Sequence, residues 1–325
     1  MQITIKEMIL NKIGGISCCL CLLAVLIVPK HVLAQEVQGV QPEARRVSVE
    51  IEGVYDANVL VIPFNGVKAE HDNPLDEAPG VKSGETAELA VPADQLPGEF
   101  VLRINYRAKE EDYPYPAERI IFLNDQDIEL TVNPPYINND LRTKFQDGER
   151  ENTVYAAFMK ENAQRRRPVE ALRQFLLNYD RPDSAVSGEA QKAFEQRRRE
   201  YNKWLAEQQQ AHENLFVSRL FQFHYIPPVD WSGDNRARVE DMLAHYFDGI
   251  DFNDPLILRS RELTRFLDQY VRLYGKLAQN RQELNEFLIQ AGDAITKAAE
   301  QGHPRVREWI ADYLRRGYES QGIIR

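Results

Sequence analysis

Four oxygen-bearing side chains, Asp248, Asp251, Asn253 and Asp254, fall within seven positions of the segment HYFDGIDFNDPLILRS. They are the raw material of a calcium site, but calcium takes six to eight oxygens and the ordered D-x-[DN]-x-[DN]-G loop is absent. The same residues suit another task. Asn253 or Asp254 caps a helix whose first position is Pro255, its side-chain oxygen accepting a backbone N–H that would otherwise be orphaned. The histidines His71, His212, His224, His245 and His303 show no HExxH or other ligand spacing, and no GxSxG, SxxK or GxxxxGK occurs. This disfavours zinc proteases, serine hydrolases of the elbow or SxxK type, and P-loop nucleotide binders. Glu110, Glu111 and Asp112 form a local carboxylate cluster, but carboxylates cleave a sugar bond only where a fold places them on its two sides. The expectation is no catalytic residue, no cofactor and no metal.

Aromatic residues give the better hint. Tyr113 and Tyr115 lie in a Pro-rich loop, and Tyr225 and Trp231 flank Pro227-Pro228 in another. Rings in such loops serve recognition, the alternative being that they fold back and cover the edge of the core.

The elements that position these residues change character between Phe145 and Arg167. Before that point the apolar period is two: Val47, Val49 and Ile51, then Ala87, Leu89 and Val91, then Phe100, Leu102, Ile104 and Tyr106 alternate with their neighbours, while Asn58 to Phe64 reads as a more buried strand and Ile120 to Leu123 and Ile128, Leu130 and Val132 as two further strands. Six or so short strands with regular turns predict an antiparallel sandwich. Residues 65–80 and 109–116 read as loops, and Asn124-Asp125-Gln126 as a hairpin turn. After the junction the period is near 3.6, and the acidic, turn-prone stretch from Asp147 to Glu151 reads as a helix start. Pro168 reads as a break or first-turn residue, the stripe Leu215, Phe216, Leu220 and Phe223 as a helix ended by Pro227-Pro228, and Leu263 to Tyr274 as the continuation of the helix begun at Pro255. The fold class predicted is α+β, an N-terminal antiparallel β-sandwich followed by an all-α helical domain.

The chain has 325 residues, enough for two domains, and a net charge of −10. That charge argues against nucleic acid and against an anionic membrane surface, both of which need a basic face. The basic clusters Arg165–Arg167 and Arg197–Arg199 sit in acid-rich helical surroundings and read as solvated faces. Residues 1–34 have the layout of a secretory signal: Lys6 and Lys12, an apolar run from Ile13 to Val28, then Val32, Leu33 and Ala34 before Gln35. The run is shorter than the roughly 20 residues of a spanning helix, so cleavage is expected, with no membrane insertion afterwards. A lipid-modified Cys18 is the weaker alternative, since Gly15 stands where a branched apolar residue is wanted. The expected organisation is 1–34 signal peptide, 35–46 linker, 47–147 β-sandwich and 148–325 helical domain. Cys18, Cys19 and Cys21 all lie in the leader. A mature chain from Gln35 would have no disulfide, no CxxC and no thiolate nucleophile.

The strands PGEFVLRINY and DIELTVNP, the GEREN junction, and HYFDGIDFNDPLILRS followed by IADYLRRGYE resemble the region that precedes the thioredoxin domain in Bacteroidota thiol-disulfide oxidoreductases of the TlpA/ResA-like kind. The resemblance implies a periplasmic or cell-envelope location and a thioredoxin-like or other envelope protein as partner. In that family the chemistry belongs to a following thioredoxin fold with a CxxC thiolate, and none of its catalytic residues has a counterpart here. The resulting expectation is a non-catalytic accessory or docking module for thiol-disulfide exchange. The alternatives are the N-terminal part of an oxidoreductase whose catalytic domain lies outside this sequence, or a glycan- or lipid-binding envelope protein.

Overall fold

The structure is a computed structural model describing residues 44–322 except 180 and 182; the leader, with its three cysteines, lies outside the described residues. The predicted alternation becomes β1 (Arg45–Ile51), β2 (Asp56–Pro63), β4 (Thr86–Val91), β5 (Gly98–Arg107), β6 (Tyr115–Leu123) and β7 (Ile128–Val132). Two more strands join them, β3 (Asp76–Lys82) and the two-residue β8 (Lys144–Phe145). One sheet has the order β4-β1-β7-β8 and the other β3-β2-β5-β6. All neighbours are antiparallel except β1 and β7. Inward residues such as Val47, Val49, Leu102, Ile104, Ile121 and Leu130 form one buried cluster, as period-two patterning requires.

Four local expectations change. Arg45 and Arg46 belong to β1 rather than to a linker. The region 65–80 contains the start of β3, whose Pro79 and Gly80 suit an edge strand. Tyr115 and Pro116 lie in β6 rather than in a loop, and a proline fits there because β6 is also an edge. The Asn124-Asp125-Gln126 turn joins strands of different sheets, so β6 and β7 are not a hairpin.

The second half is helical: α1 (Glu151–Asn178), α2 (Ala185–Ala211), α3 (Asn235–Ala244), α4 (Glu262–Gly275), α5 (Arg281–Ala298) and α6 (Pro304–Gln321). α1 and α2 pack antiparallel. Phe158 stacks on Trp204 at 5.3 Å, and the Tyr201 hydroxyl donates to Asn162 Oδ1 at 2.6 Å. Pro168 lies inside α1, not ahead of a helix. It is exposed, so water can satisfy the carbonyl left without a donor. Val217–His224 is a 3-10 helix rather than an α-helix. Val217, Ser218, Leu220, Phe221, Gln222 and Phe223 are all buried, with Arg219 and His224 half-buried, and Phe221 stacks on Phe158 at 3.6 Å. Pro255–Arg259 is a separate 3-10 turn, which Ser260 and Arg261 divide from α4.

Polar seams join sheet to helix. In GEREN, Gly148 turns with φ 82°, and the Glu149 carboxylate accepts the N–H groups of Asn152 and Thr153 at 2.8 Å, capping α1. Arg150 grips both oxygens of Asp125. Glu151 accepts from Phe216 N at 2.9 Å, Val217 N at 3.0 Å and Asn124 Nδ2 at 2.8 Å. The Asn152 amide bonds both backbone groups of Phe122 in β6, at 2.8 and 2.9 Å. A second seam gathers on Glu99 of β5, which is buried and accepts from Ser260 Oγ at 2.7 Å and from Arg261. Arg259 donates to the carbonyls of Asp94 and Leu96, and Thr264 donates to that of Gly66. Phe122 also enters the helical core, its ring 4.5 Å from that of Tyr155. Sheets and helices thus belong to one compact unit.

Candidate functional site

The helices attach where β5 begins, at Gly98 and Glu99. Tyr106 lies seven residues further along the strand, about 23 Å away at the rise of an extended chain. That far pole collects tyrosines. Tyr106 faces Tyr115 across the β5–β6 register with ring centroids 6.1 Å apart. Tyr113, on the connecting loop, is 87% exposed and Tyr115 55%. Tyr55, on the β1–β2 turn, carries the Arg107 guanidinium 5.3 Å over its ring; a hydrogen bond to Glu110 pushes its hydroxyl pKa up. Tyr136 follows β7 in a Pro134–Tyr136 3-10 turn, with Arg142 4.7 Å above its ring.

An open groove of about 750 Å³ runs beside the β6 edge between Tyr106 and Pro116 on one side and Pro134, Pro135 and Tyr136 on the other. Arg103 and Glu118 line it as an ion pair at 3.0 Å, with His71 3.2 Å from Arg103. Asn138 donates to the Glu118 carbonyl at 3.0 Å. Among the described lining residues Glu118 is the sole carboxylate, and the arginine already engages it. The groove thus offers apolar ring faces and amide groups for contact beside a cluster of Arg103, Glu118 and His71.

Of the four aromatics singled out in the sequence, Tyr113 and Tyr115 belong to this pole. Tyr225 is half-buried and crowds Gly249. Trp231 is buried, edge-on to Phe194 at 5.1 Å, so it has folded back onto the core. Tyr55, Tyr106 and Tyr136 were not singled out as recognition residues. The signal for Tyr136 was present: NPPY repeats the proline-tyrosine chemistry of YPYP.

The other candidate groups serve the fold. Asp254 caps the 3-10 turn, accepting Leu256 N at 2.9 Å, and pairs with Arg219 at 2.7 Å. Asp251 receives Asn253 N at 2.9 Å, and Asp248 meets His245 at 2.8 Å. No group of three or more metal-ligating side chains converges among the described residues. Asp112 holds Lys109 N at 3.0 Å within its own turn and Glu110 reaches the Tyr55 hydroxyl, so these two carboxylates serve the loop. His224 is half-buried against Phe158, and desolvation there holds its pKa down at about 4. His303 caps α6. Of the arginine clusters, most members pair with acids on their own helix, but Arg166 and Arg198 turn inward to the carbonyls of His224 and Ile226, at 3.0 and 3.2 Å. They correct the reading of a purely solvated face: the chain near Pro227-Pro228 leaves carbonyls that need donors. No helix among the described residues is long and apolar enough to cross a membrane.

In comparisons with known proteins, no family model matches this chain and no curated protein matches it.

Proposed function

We propose that this chain is a non-catalytic recognition module of the cell envelope, exported by a cleaved leader, which docks a protein partner of thiol-disulfide exchange through its tyrosine pole. One observation carries the docking reading: Tyr55, Tyr113, Tyr115 and Tyr136 are exposed at the end of the sandwich remote from the helices. Exposed tyrosines bury large area at low conformational cost and are enriched where proteins meet. The redox context rests on the sequence resemblance alone. A photo-crosslinker in place of Tyr113, in cells that make the protein naturally, tests both parts. Capture of a CxxC-bearing thioredoxin-fold protein supports the reading. A product pattern identical to that of a crosslinker at Lys192, exposed on α2, would sink it.

A second reading, glycan binding, is favoured by the groove itself, where Tyr106 and Tyr136 lie with Asn138 and Asn139. Its reporter is Tyr136, since Trp231 is buried. A saturable oligosaccharide isotherm abolished by Tyr136→Ala would favour it over protein docking. The third reading, an oxidoreductase whose catalytic part lies outside this sequence, is settled by intact mass and thiol count of the protein from its native envelope. Two titratable thiols in a larger mass would establish it.

A further inference from the structure

A cavity of about 510 Å³ opens between α4, α5 and α6 and is closed on one side by Val67 from the loop after β2. Its size suits a small organic molecule, and its walls combine apolar side chains with a few convergent polar groups. Val271, Leu288 and Leu314 supply the apolar surface, and Tyr313 and Tyr318 supply rings.

The polar groups are unequal. Arg316 lines the cavity but is paired with Asp312 at 2.6 Å. Arg265, one turn before Asp268, is paired with Glu262 at 3.0 Å. The Thr264 hydroxyl is committed to Gly66, and that of Ser320 to Gly317 O at 2.7 Å. Asp268 differs, because it accepts one hydrogen bond, from the Tyr313 hydroxyl. Among the described residues no basic side chain forms an ion pair with it, and the charge of Arg272, one turn on in α4, reaches its tyrosine partner without bonding the carboxylate. An ionised carboxylate is acceptor-only and has several lone-pair sites, so one tyrosine leaves most of its capacity unused.

Gly317, exposed on α6, forms part of the cavity wall, and a Cβ there would meet nothing within 4 Å, so a larger side chain at this position has room beside the cavity.

We propose that the α4–α5–α6 cavity binds a small organic cation, an ammonium group on an apolar body, with the charge on Asp268 and the body against Tyr313, Tyr318 and the aliphatic wall. Carboxylate and aromatic faces together are the chemistry that selects ammonium groups. The site is separate from the tyrosine pole and does not depend on its function.

Trp309 stacks on Tyr313 at 5.3 Å and 7°, so its fluorescence reports on the cavity. The full chain is titrated with octyltrimethylammonium and with 2-phenylethylamine, and octanoate serves as the anionic control of matched apolar length. Both cations are expected to give saturable signals that vanish in Trp309→Phe and to bind about tenfold or more tighter than octanoate. Asp268→Asn should weaken the cations by a similar factor and leave octanoate no weaker. Gly317→Leu, which fills the cavity, should abolish binding with the circular dichroism unchanged; if that variant fails to fold, Asp268→Asn carries the test. The proposal is overturned if octanoate binds as tightly as the cations, if Asp268→Asn binds them unchanged, or if neither cation saturates in the millimolar range.

Discussion

A carboxylate taken out of water is tolerated only where donors surround it, and Glu151, 3% exposed, has the Phe216 and Val217 N–H groups and the Asn124 amide. Glu151→Ala strands two buried N–H groups at once. Loss of about 3 kcal/mol is expected in urea unfolding, against about 0.5 kcal/mol or less for Glu189→Ala on the exposed face of α2. His224 gives a pH signature. Burial, followed by the charges of Arg166 and Arg265, lowers its pKa from 6.5 to about 4. The unfolded chain therefore takes up a proton that the folded one refuses. The stability His224 contributes is whole above about pH 6.5, declines as pH falls toward 4, and is then fully lost, on the order of 3 kcal/mol. Glu262 pulls the other way in its own range, since burial raises its pKa and its cost to the fold grows as pH rises past 4.5. Comparing wild type with His224→Gln cancels that contribution. The stability difference between the two should change with pH between about 6.5 and 4, and a flat difference would refute the assignment. At this scale the exposure of Tyr113 and Tyr115 was legible from the prolines around them, although Tyr115 lies in β6. For Trp231 the fold-back alternative holds, and it depends on Phe194 arriving from α2, which no local pattern shows.

Elements were legible in proportion to how much of their patterning is local. β1, β4 and β7 follow from alternation because each buries mainly one face, and β2 from its near-continuous apolar run, since β2 and the start of β5 are buried on both. β3 was hidden, since DEAPGVK has one buried residue, Val81, and carries Pro79 and Gly80. The parallel β1–β7 pairing leaves no local trace, because its partners, Val47 and Ile128 among them, lie about eighty positions apart. The 3-10 conformation of Val217–His224 is likewise set from outside, by Glu151 on its first N–H groups and by the burial of six of its eight residues. α1 shows propensity overruled, since Pro168 is carried inside a 28-residue helix. Restoring the missing N–H with Pro168→Ala should stabilise the protein by about 1–3 kcal/mol, read as a rise in thermal midpoint. A fall would mean that the proline sets a bend the α1–α2 packing needs.

For the whole molecule the seams decide how it unfolds. Glu99 draws Ser260 and Arg261 onto β5, and Phe122 enters the helical core from β6. Sheets and helices should then melt together. Tryptophan fluorescence, which arises wholly from the helical half, and loss of amide protection in β2 and β5 followed by pulsed hydrogen exchange should give coincident urea transitions. Glu99→Ala, which leaves the Arg261 charge without its carboxylate, should split them or lower both by about 3 kcal/mol. An unchanged single transition would show that the apolar contacts suffice. This degree of docking was not readable from the sequence, which shows polar residues at the junction but not their partners across it.

The Asn152 amide, by occupying the N–H and C=O of Phe122, does at that one position of β6 what a neighbouring strand would do. Synthesis runs from the N-terminus, so Phe122 is made thirty positions before the residue that seals it. During that interval the nascent sandwich has an open rim able to recruit the rim of another copy. Translation pace and the holding factors that meet the emerging chain therefore matter most between Leu123 and Asn152. A product stopped short of α1 should self-associate through β6, in a concentration-dependent way that the full chain does not share.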